Sequence, residues 1–219
     1  MPAESAVRKR QRVAKIIDIL RKTYPQATCR LDFKNPLQLL VGTILAAQCT
    51  DDRVNIVTKG LFRKYRSARA FAKADPEQLQ DDVRSTGFFR NKTKSIIGAA
   101  GMIVADFGGK VPQTMEELLR LPGVARKTAN VVLSNAFGID EGIVVDTHVI
   151  RVSMRLKLTA AKRSQPEKIE RDLLALVPKE RWGMFSHWVL FHGRAVCKAR
   201  KPGCDNCPIA KLCPSAGKP

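Results

Sequence analysis

Four of the six cysteines in this 219-residue chain crowd into one short stretch, Cys197-x6-Cys204-x2-Cys207-x5-Cys213. Proline and glycine turns separate them, and a chain that turns this often can aim four thiolates at one centre. Structural zinc usually shows two close cysteine pairs, whereas this stretch has a single x2 pair. The spacing therefore favours an iron–sulfur cluster and leaves zinc as the alternative. Cys29 and Cys49 lie far from the group and are expected as buried thiols.

A second group surrounds Lys127. The pentapeptide Leu121-Pro122-Gly123-Val124-Ala125 falls between two helical patterns, Glu116–Arg120 and Arg126–Phe137. A tight hairpin there leaves the first N–H groups of the second helix unpaired, and such donors bind a phosphate oxygen with help from the helix dipole. Gly123 would supply the unusual backbone angle and a close approach to the phosphate. An ordinary helix–helix turn is the alternative. Lys127 lies in the first turn of the second helix, where the dipole disfavours its positive charge. Combined with partial burial, that field lowers the amine's pKa and frees a lone pair for nucleophilic attack; otherwise Lys127 is a surface lysine. Asp146, between Ile143-Val144-Val145 and Thr147-His148-Val149-Ile150, reads as a carboxylate partner for such an amine or as a plain helix N-cap.

These groups have to be positioned by helices, because helical periodicity runs nearly throughout. Val13, Ile16, Ile17 and Leu20 form one apolar stripe at i, i+3, i+4, i+7. Leu37, Leu40, Val41, Ile44 and Leu45 repeat the pattern behind Pro36, a residue suited to a helix start. Asp75-Pro76-Glu77 signals another start, and Ile96, Ile97, Ala100 and Ile103 mark a helix closed by Gly108-Gly109. Thr114-Met115-Glu116-Glu117 and Ser164-Gln165-Pro166-Glu167 read as capping boxes. Only Gly142 to Val145 has extended character, and four residues make no sheet. The expected fold is all-α, with eight to eleven helices and no repeat at a solenoid period.

Charge narrows the partner. Lysine and arginine total 39 against 20 acidic residues, so the formal net charge is 39 − 20 = +19. Nucleic acid is the common polyanion that offsets such a charge, with an anionic membrane surface or generic basicity as the alternatives. Both ends are basic: residues 1–15 carry five Lys/Arg against Glu4, and residues 194–219 carry six against Asp205. The longest charge-free apolar region, Asn35 to Thr50, contains Gln38 and Gln48 and is shorter than the roughly 18–20 residues of a spanning helix. No signal-peptide pattern opens the sequence, so a soluble intracellular protein is expected. A hydrophobic content of 44% supports a packed core, and sparse cysteines argue against a secreted disulfide scaffold.

Taken together, these residues resemble the endonuclease III family, the bifunctional DNA glycosylase/AP lyases (AP, apurinic or apyrimidinic) of the helix-hairpin-helix superfamily. Leu121-Pro-Gly-Val-Ala-Arg-Lys-Thr-Ala-Asn130 resembles its hairpin and catalytic-lysine motif, and Val145-Asp-Thr-His148 its aspartate motif. The cysteine spacing matches its [4Fe–4S] loop, and Leu45-Ala-Ala-Gln-Cys-Thr-Asp51 is similar to its Ala-Gln-x-Thr-Asp segment. The match runs over roughly residues 10 to 214, in order. Ala125 departs from the hairpin's frequent second glycine, and Ala46 stands where many relatives have serine.

The resemblance implies removal of oxidised pyrimidines from duplex DNA by nucleotide flipping, followed by strand cleavage at the abasic site. Lys127 would be the nucleophile and Asp146 its acid/base partner, with a [4Fe–4S] cluster on Cys197, Cys204, Cys207 and Cys213. Gln48 would fill the space left by the flipped nucleotide, and Phe88 of Gly87-Phe88-Phe89 would wedge between bases, although by itself Phe88 reads equally as core. The hairpin residues Leu121, Gly123 and Ala125 and the loop cations Lys198 and Arg200 would meet DNA. Also implied are a helical barrel over residues 29–139, a discontinuous cluster domain over 1–28 and 140–219, DNA in a groove between them, and a monomer at work in the cytoplasm or on the nucleoid. An adenine-removing mismatch glycosylase, a non-enzymatic zinc protein that binds DNA, and a relative shifted to uracil are the competing readings.

Overall fold

The computed structural model describes residues 4–218, and every regular element among them is helical. In chain order the α-helices are α1 (Ala6–Thr23), α2 (Pro36–Leu45), α3 (Asp51–Lys64), α4 (Ala68–Ala72), α5 (Pro76–Val83), α6 (Phe89–Asp106), α7 (Met115–Arg120), α8 (Arg126–Val132), α9 (Thr147–Arg155), α10 (Pro166–Leu174) and α11 (Trp182–Ala195). The chain divides into two compact units, one built from Cys29–Ile139 and the other from Met1–Thr28 together with Asp140–Pro219.

The helix starts follow from local chemistry. Side chains of Ser5, Asn35, Thr50, Ser67, Asp75 and Thr114 each accept a hydrogen bond from the backbone N–H three residues on. Pro36 and Pro76 occupy first-turn positions, where a missing N–H costs nothing. At α7 only half of a capping box forms, because the Thr114 hydroxyl donates to Glu117 Oε2 at 2.8 Å instead of leaving that carboxylate to the Thr114 N–H. The expected box at Ser164 does not form. Gln165 is the N-cap of α10 and makes no side-chain cap bond. Pro166 is the reason: the residue before a proline is pushed out of the helical region, so the helix cannot begin at Gln165.

Each unit has its own apolar core. In the Cys29–Ile139 unit, Leu39, Leu40, Leu45, Phe71, Leu79, Ile96, Ile103 and Leu118 are fully buried. The long helix α6 packs on α4, α5 and α2, and α8 packs on α2 and α7. Helix α6 ends at Gly108 and Gly109, both left-handed, where the Gly109 N–H returns to the Ile103 carbonyl at 2.8 Å. In the other unit, the stripe Val13, Ile16, Ile17 and Leu20 packs with Val149, Val152, Phe185 and Val189, so α11 lies against both α1 and α9. Contrary to expectation, Cys29 and Cys49 are only half-buried.

Candidate active site and cysteine centre

The hairpin between α7 and α8 is a tight turn closed by the Val124 N–H on the Leu121 carbonyl at 3.1 Å. Gly123 has φ +77° and backs onto α6, where an added Cβ would lie 2.5 Å from Ser95 Cβ and 2.6 Å from its Oγ. Both the backbone angle and the close approach therefore require glycine. Pro122 leans on α6 at Gly98, whose ideal Cβ would come within 3.2 Å of the proline ring. Ala125 is the N-cap of α8 at φ −96°, an ordinary extended angle, and provides no side-chain cap. The departure from glycine is accommodated without strain.

Leu121 was grouped above with residues that meet DNA, but its side chain is 2% exposed and belongs to the core. Its N–H is also committed to the Leu118 carbonyl, so Leu121 anchors the hairpin from below. Lys127 sits in the first turn of α8 and is exposed. Of the two readings of this amine, partly buried or on the surface, the structure has the surface one. Helix α8 continues into one turn of π-helix, Leu133–Phe137, which ends at left-handed Gly138.

Two further turns of the same unit carry Gln48 and Phe88. Gln48 is exposed in the turn joining α2 to α3 and has φ +53°. Phe88 precedes α6 with φ +48° and is 61% exposed, so the core reading of this side chain fails. Neither is glycine, and such angles cost of order 1 kcal/mol or more unless the surroundings enforce them. Phe89 instead is half-buried, with the guanidinium groups of Arg84 and Arg90 lying 5.2 and 5.6 Å from its ring centroid. Beneath both turns lies Lys92, which the sequence reading passed over.

In the second unit Asp146 is the N-cap of α9. Its Oδ1 accepts from the His148 and Val149 N–H groups at 2.8 and 2.7 Å, which fixes the carboxylate and leaves Oδ2 outside both bonds. The far end of α9 is tied to the cysteine loop. Arg151 donates to the carbonyls of Cys197 (3.1 Å) and Gly193 (2.9 Å), and Arg155 donates to the carbonyls of Lys198 (2.7 Å) and Ala199 (3.1 Å). One short helix therefore carries Asp146 at its start and braces the beginning of the cysteine loop at its far end. Lys198 and Arg200 are exposed on the loop that it holds.

All four of Cys197, Cys204, Cys207 and Cys213 line one pocket, walled by Val152, Leu156, Val196 and Ile209. Among the described residues no three His, Cys, Asp or Glu side chains converge as a single ion requires. Polar groups nevertheless meet the sulfurs: Arg155 Nη1 donates to Cys197 Sγ at 3.3 Å, and His192 Nε2 lies 3.7 Å from Cys207 Sγ. His192 Nδ1 lies 3.1 Å from the Tyr24 hydroxyl. The ring thus links the Tyr24 hydroxyl to the Cys207 sulfur, and once a metal replaces the thiol proton the tautomer with its proton on Nε2 can donate to that sulfur. Burial pushes His192 down to about 4, so the ring is neutral at pH 7. Burial also pushes the Cys207 and Cys213 thiols up, so each stays protonated unless a metal replaces the proton. Four soft donors in an apolar pocket, with an arginine N–H on one sulfur and a histidine ring beside another, fit a multi-iron centre.

The chain matches the model of the HhH-GPD superfamily base excision DNA repair proteins over residues 41–179. It is 59% identical to the endonuclease III of Synechocystis sp. over 208 residues, covering 95% of this chain and 94% of that one. Two solved structures, a non-covalent endonuclease III–DNA complex and a trapped endonuclease III–DNA covalent intermediate, each superpose with a TM-score of 0.89 at 42% identity. Each match covers 95% of this chain and 97% of the other. Fold, hairpin, cysteine loop and relatives agree, and the chain belongs to the endonuclease III family of the HhH-GPD superfamily.

Proposed function

We infer that this chain is a base excision repair enzyme, a DNA glycosylase with an associated AP lyase activity, and that it removes oxidised pyrimidines from duplex DNA. The observation that carries the reading is the hairpin. Left-handed Gly123, pressed on Ser95, delivers an uncapped helix start to the surface with Lys127 in its first turn. With no side-chain cap at Ala125, the positive end of that helix suits a DNA phosphate, which holds the strand beside the amine.

The target base is hidden inside the duplex, so the nucleotide must be extruded, at a cost of a few kcal/mol that is smallest for a damaged base. Exposed Phe88 and Gln48, each at the tip of a left-handed turn, offset that cost by occupying the vacated stack. In the free protein Lys127 is exposed, and a strand held at the hairpin brings the extruded sugar to its amine. The neutral amine attacks C1′, and the bond to the base breaks with its electron pair leaving on the base, which takes up a proton. The sugar ring opens as the nitrogen loses a proton, giving a Schiff base. Loss of a C2′ proton then expels the 3′ phosphate, and water hydrolyses the Schiff base to release Lys127. Asp146, its carboxylate fixed by two backbone amides, stabilises the positive charge that develops and carries protons.

Cys197, Cys204, Cys207 and Cys213 would hold a [4Fe–4S] cluster. When bound, it supplies a rigid cross-link among four loop positions. Around it the chain presents Lys198 and Arg200 to phosphates. The partner is duplex DNA bearing a damaged pyrimidine or an abasic site, the working unit is a monomer, and the site of action is the cytoplasm or nucleoid. No helix among the described residues is long and apolar enough to cross a membrane.

A panel of duplex oligonucleotides carrying an oxidised pyrimidine, a uracil, a mispaired adenine or an abasic site, each with and without borohydride, tests the reading. Excision of the oxidised pyrimidine with borohydride-trapped protein is expected. Base release without trapping, or release of adenine or uracil in preference, contradicts it. Purified protein should be brown and contain iron and acid-labile sulfide; stoichiometric zinc would overturn the cluster assignment.

A further inference from the structure

Lys92 is 4% exposed and sits on the apolar face of α6, in the stripe continued by Ile96, Ala99, Ala100 and Ile103. A primary amine at such a position is costly unless its donors are used. Here they are used on two backbone carbonyls: Nζ is 2.8 Å from the Leu45 oxygen and 2.7 Å from the Thr86 oxygen. Leu45 is the last residue of α2, where the helix dipole places partial negative charge, and Thr86 closes the short 3-10 turn Arg84–Thr86.

The two carbonyls stand at the roots of the two exposed turns. Gln48 is three residues beyond Leu45, and Phe88 is two residues beyond Thr86. Both have left-handed backbone angles without being glycine. Such angles persist only where the surroundings over-determine them, and the hydrogen bonds of Lys92 reach the roots of both turns. We propose that Lys92 is a positioning residue which braces the Gln48 and Phe88 turns as a pair, so that the two side chains enter the duplex in register. This rests on the reading above that Gln48 and Phe88 are the inserting residues.

The proposal separates duplex work from chemistry. Lys92→Met keeps the apolar stem and removes the donors. Single-turnover rates are compared on a duplex lesion and on an abasic site in single-stranded DNA, where no stack has to be filled. Amide hydrogen exchange is followed at residues 46–49 and 87–89. The expected result is a fall of about tenfold or more in the ratio of duplex to single-strand rates, the scale set by sub-ångström misplacement of working groups. Faster exchange in both turns should accompany it. Equal loss on both substrates, or exchange that quickens in one turn only, overturns the paired brace. Lys92→Gln, which retains an N–H donor, is read in the same way if the Met variant does not fold. Gln48→Ala and Phe88→Ala serve as the control: if neither lowers the duplex rate, the insertion reading itself fails. If both lower it and Lys92→Met does not, only the brace fails.

Discussion

Gly123→Ala should be among the most damaging single-methyl changes in the Cys29–Ile139 unit, and its cost can be built from two parts. The backbone at φ +77° lies in the left-handed region, which costs a residue with a Cβ about 1–2 kcal/mol. The new methyl would also lie 2.5 Å from Ser95 Cβ, an atom that no rotamer change can move. Relief needs a shift of α6 or of the hairpin, an overpacking cost of about 1–3 kcal/mol. The sum is about 2–5 kcal/mol, set against only about 0.4–1 kcal/mol gained by restricting the unfolded chain. Urea unfolding of wild type, Gly123→Ala, Ser95→Gly and the double variant gives a mutant cycle that separates the parts. The cycle should return a coupling of about 1–3 kcal/mol, because Ser95→Gly relieves the clash and leaves the backbone angle untouched. Duplex binding should weaken with Gly123→Ala and recover in part in the double variant. A coupling near zero would refute the steric account of the hairpin.

Asp146→Asn keeps a side-chain oxygen for the two N-cap amides, so stability should change by only a few tenths of a kcal/mol while lyase turnover falls. Asp146→Ala should lose about 0.5–2 kcal/mol as well, and thermal melts with turnover assays distinguish the two roles. Replacing Lys198 or Arg200 by Ala should lower the slope of log K against log salt by about one unit each, with little change in lesion preference, as read in binding titrations at several salt concentrations. Burial lowers the Lys92 amine from the ordinary lysine value of about 10.4. Between the folded and unfolded values the unfolded chain binds the extra proton, so stability rises with pH across that window. Urea midpoints measured from pH 8 upward should rise less steeply in Lys92→Met than in wild type.

Much of this architecture is written locally. Asp75 and Thr114 announce their helices because the capping bond is made within three residues, and the stripe from Val13 to Leu20 names its buried face by spacing alone. The four cysteines were legible for the same reason, since their geometry is set by turns inside one short stretch. Long-range packing was not legible. Nothing near Leu121 reveals that its side chain turns into the core, and the residues around Lys127 left its exposure as one of two readings. Of two adjacent phenylalanines, only the left-handed angle at Phe88 and the arginines flanking Phe89 decide which faces outward. Lys92 did leave a trace, as a charged residue within an apolar stripe, but its carbonyl partners at Leu45 and Thr86 belong to other elements. His192 meets Cys207 across a loop of 14 intervening residues, a contact that no local pattern encodes.

The account stands on one amine forming a covalent bond to an extruded sugar. Borohydride reduction on abasic duplex DNA, followed by protease digestion and mass spectrometry of the nucleotide-bearing peptide, locates that bond directly. The adduct should map to Lys127 and vanish in Lys127→Gln while that variant still binds the same duplex. An adduct that persists in Lys127→Gln, or maps to another lysine in the wild-type protein, would contradict it.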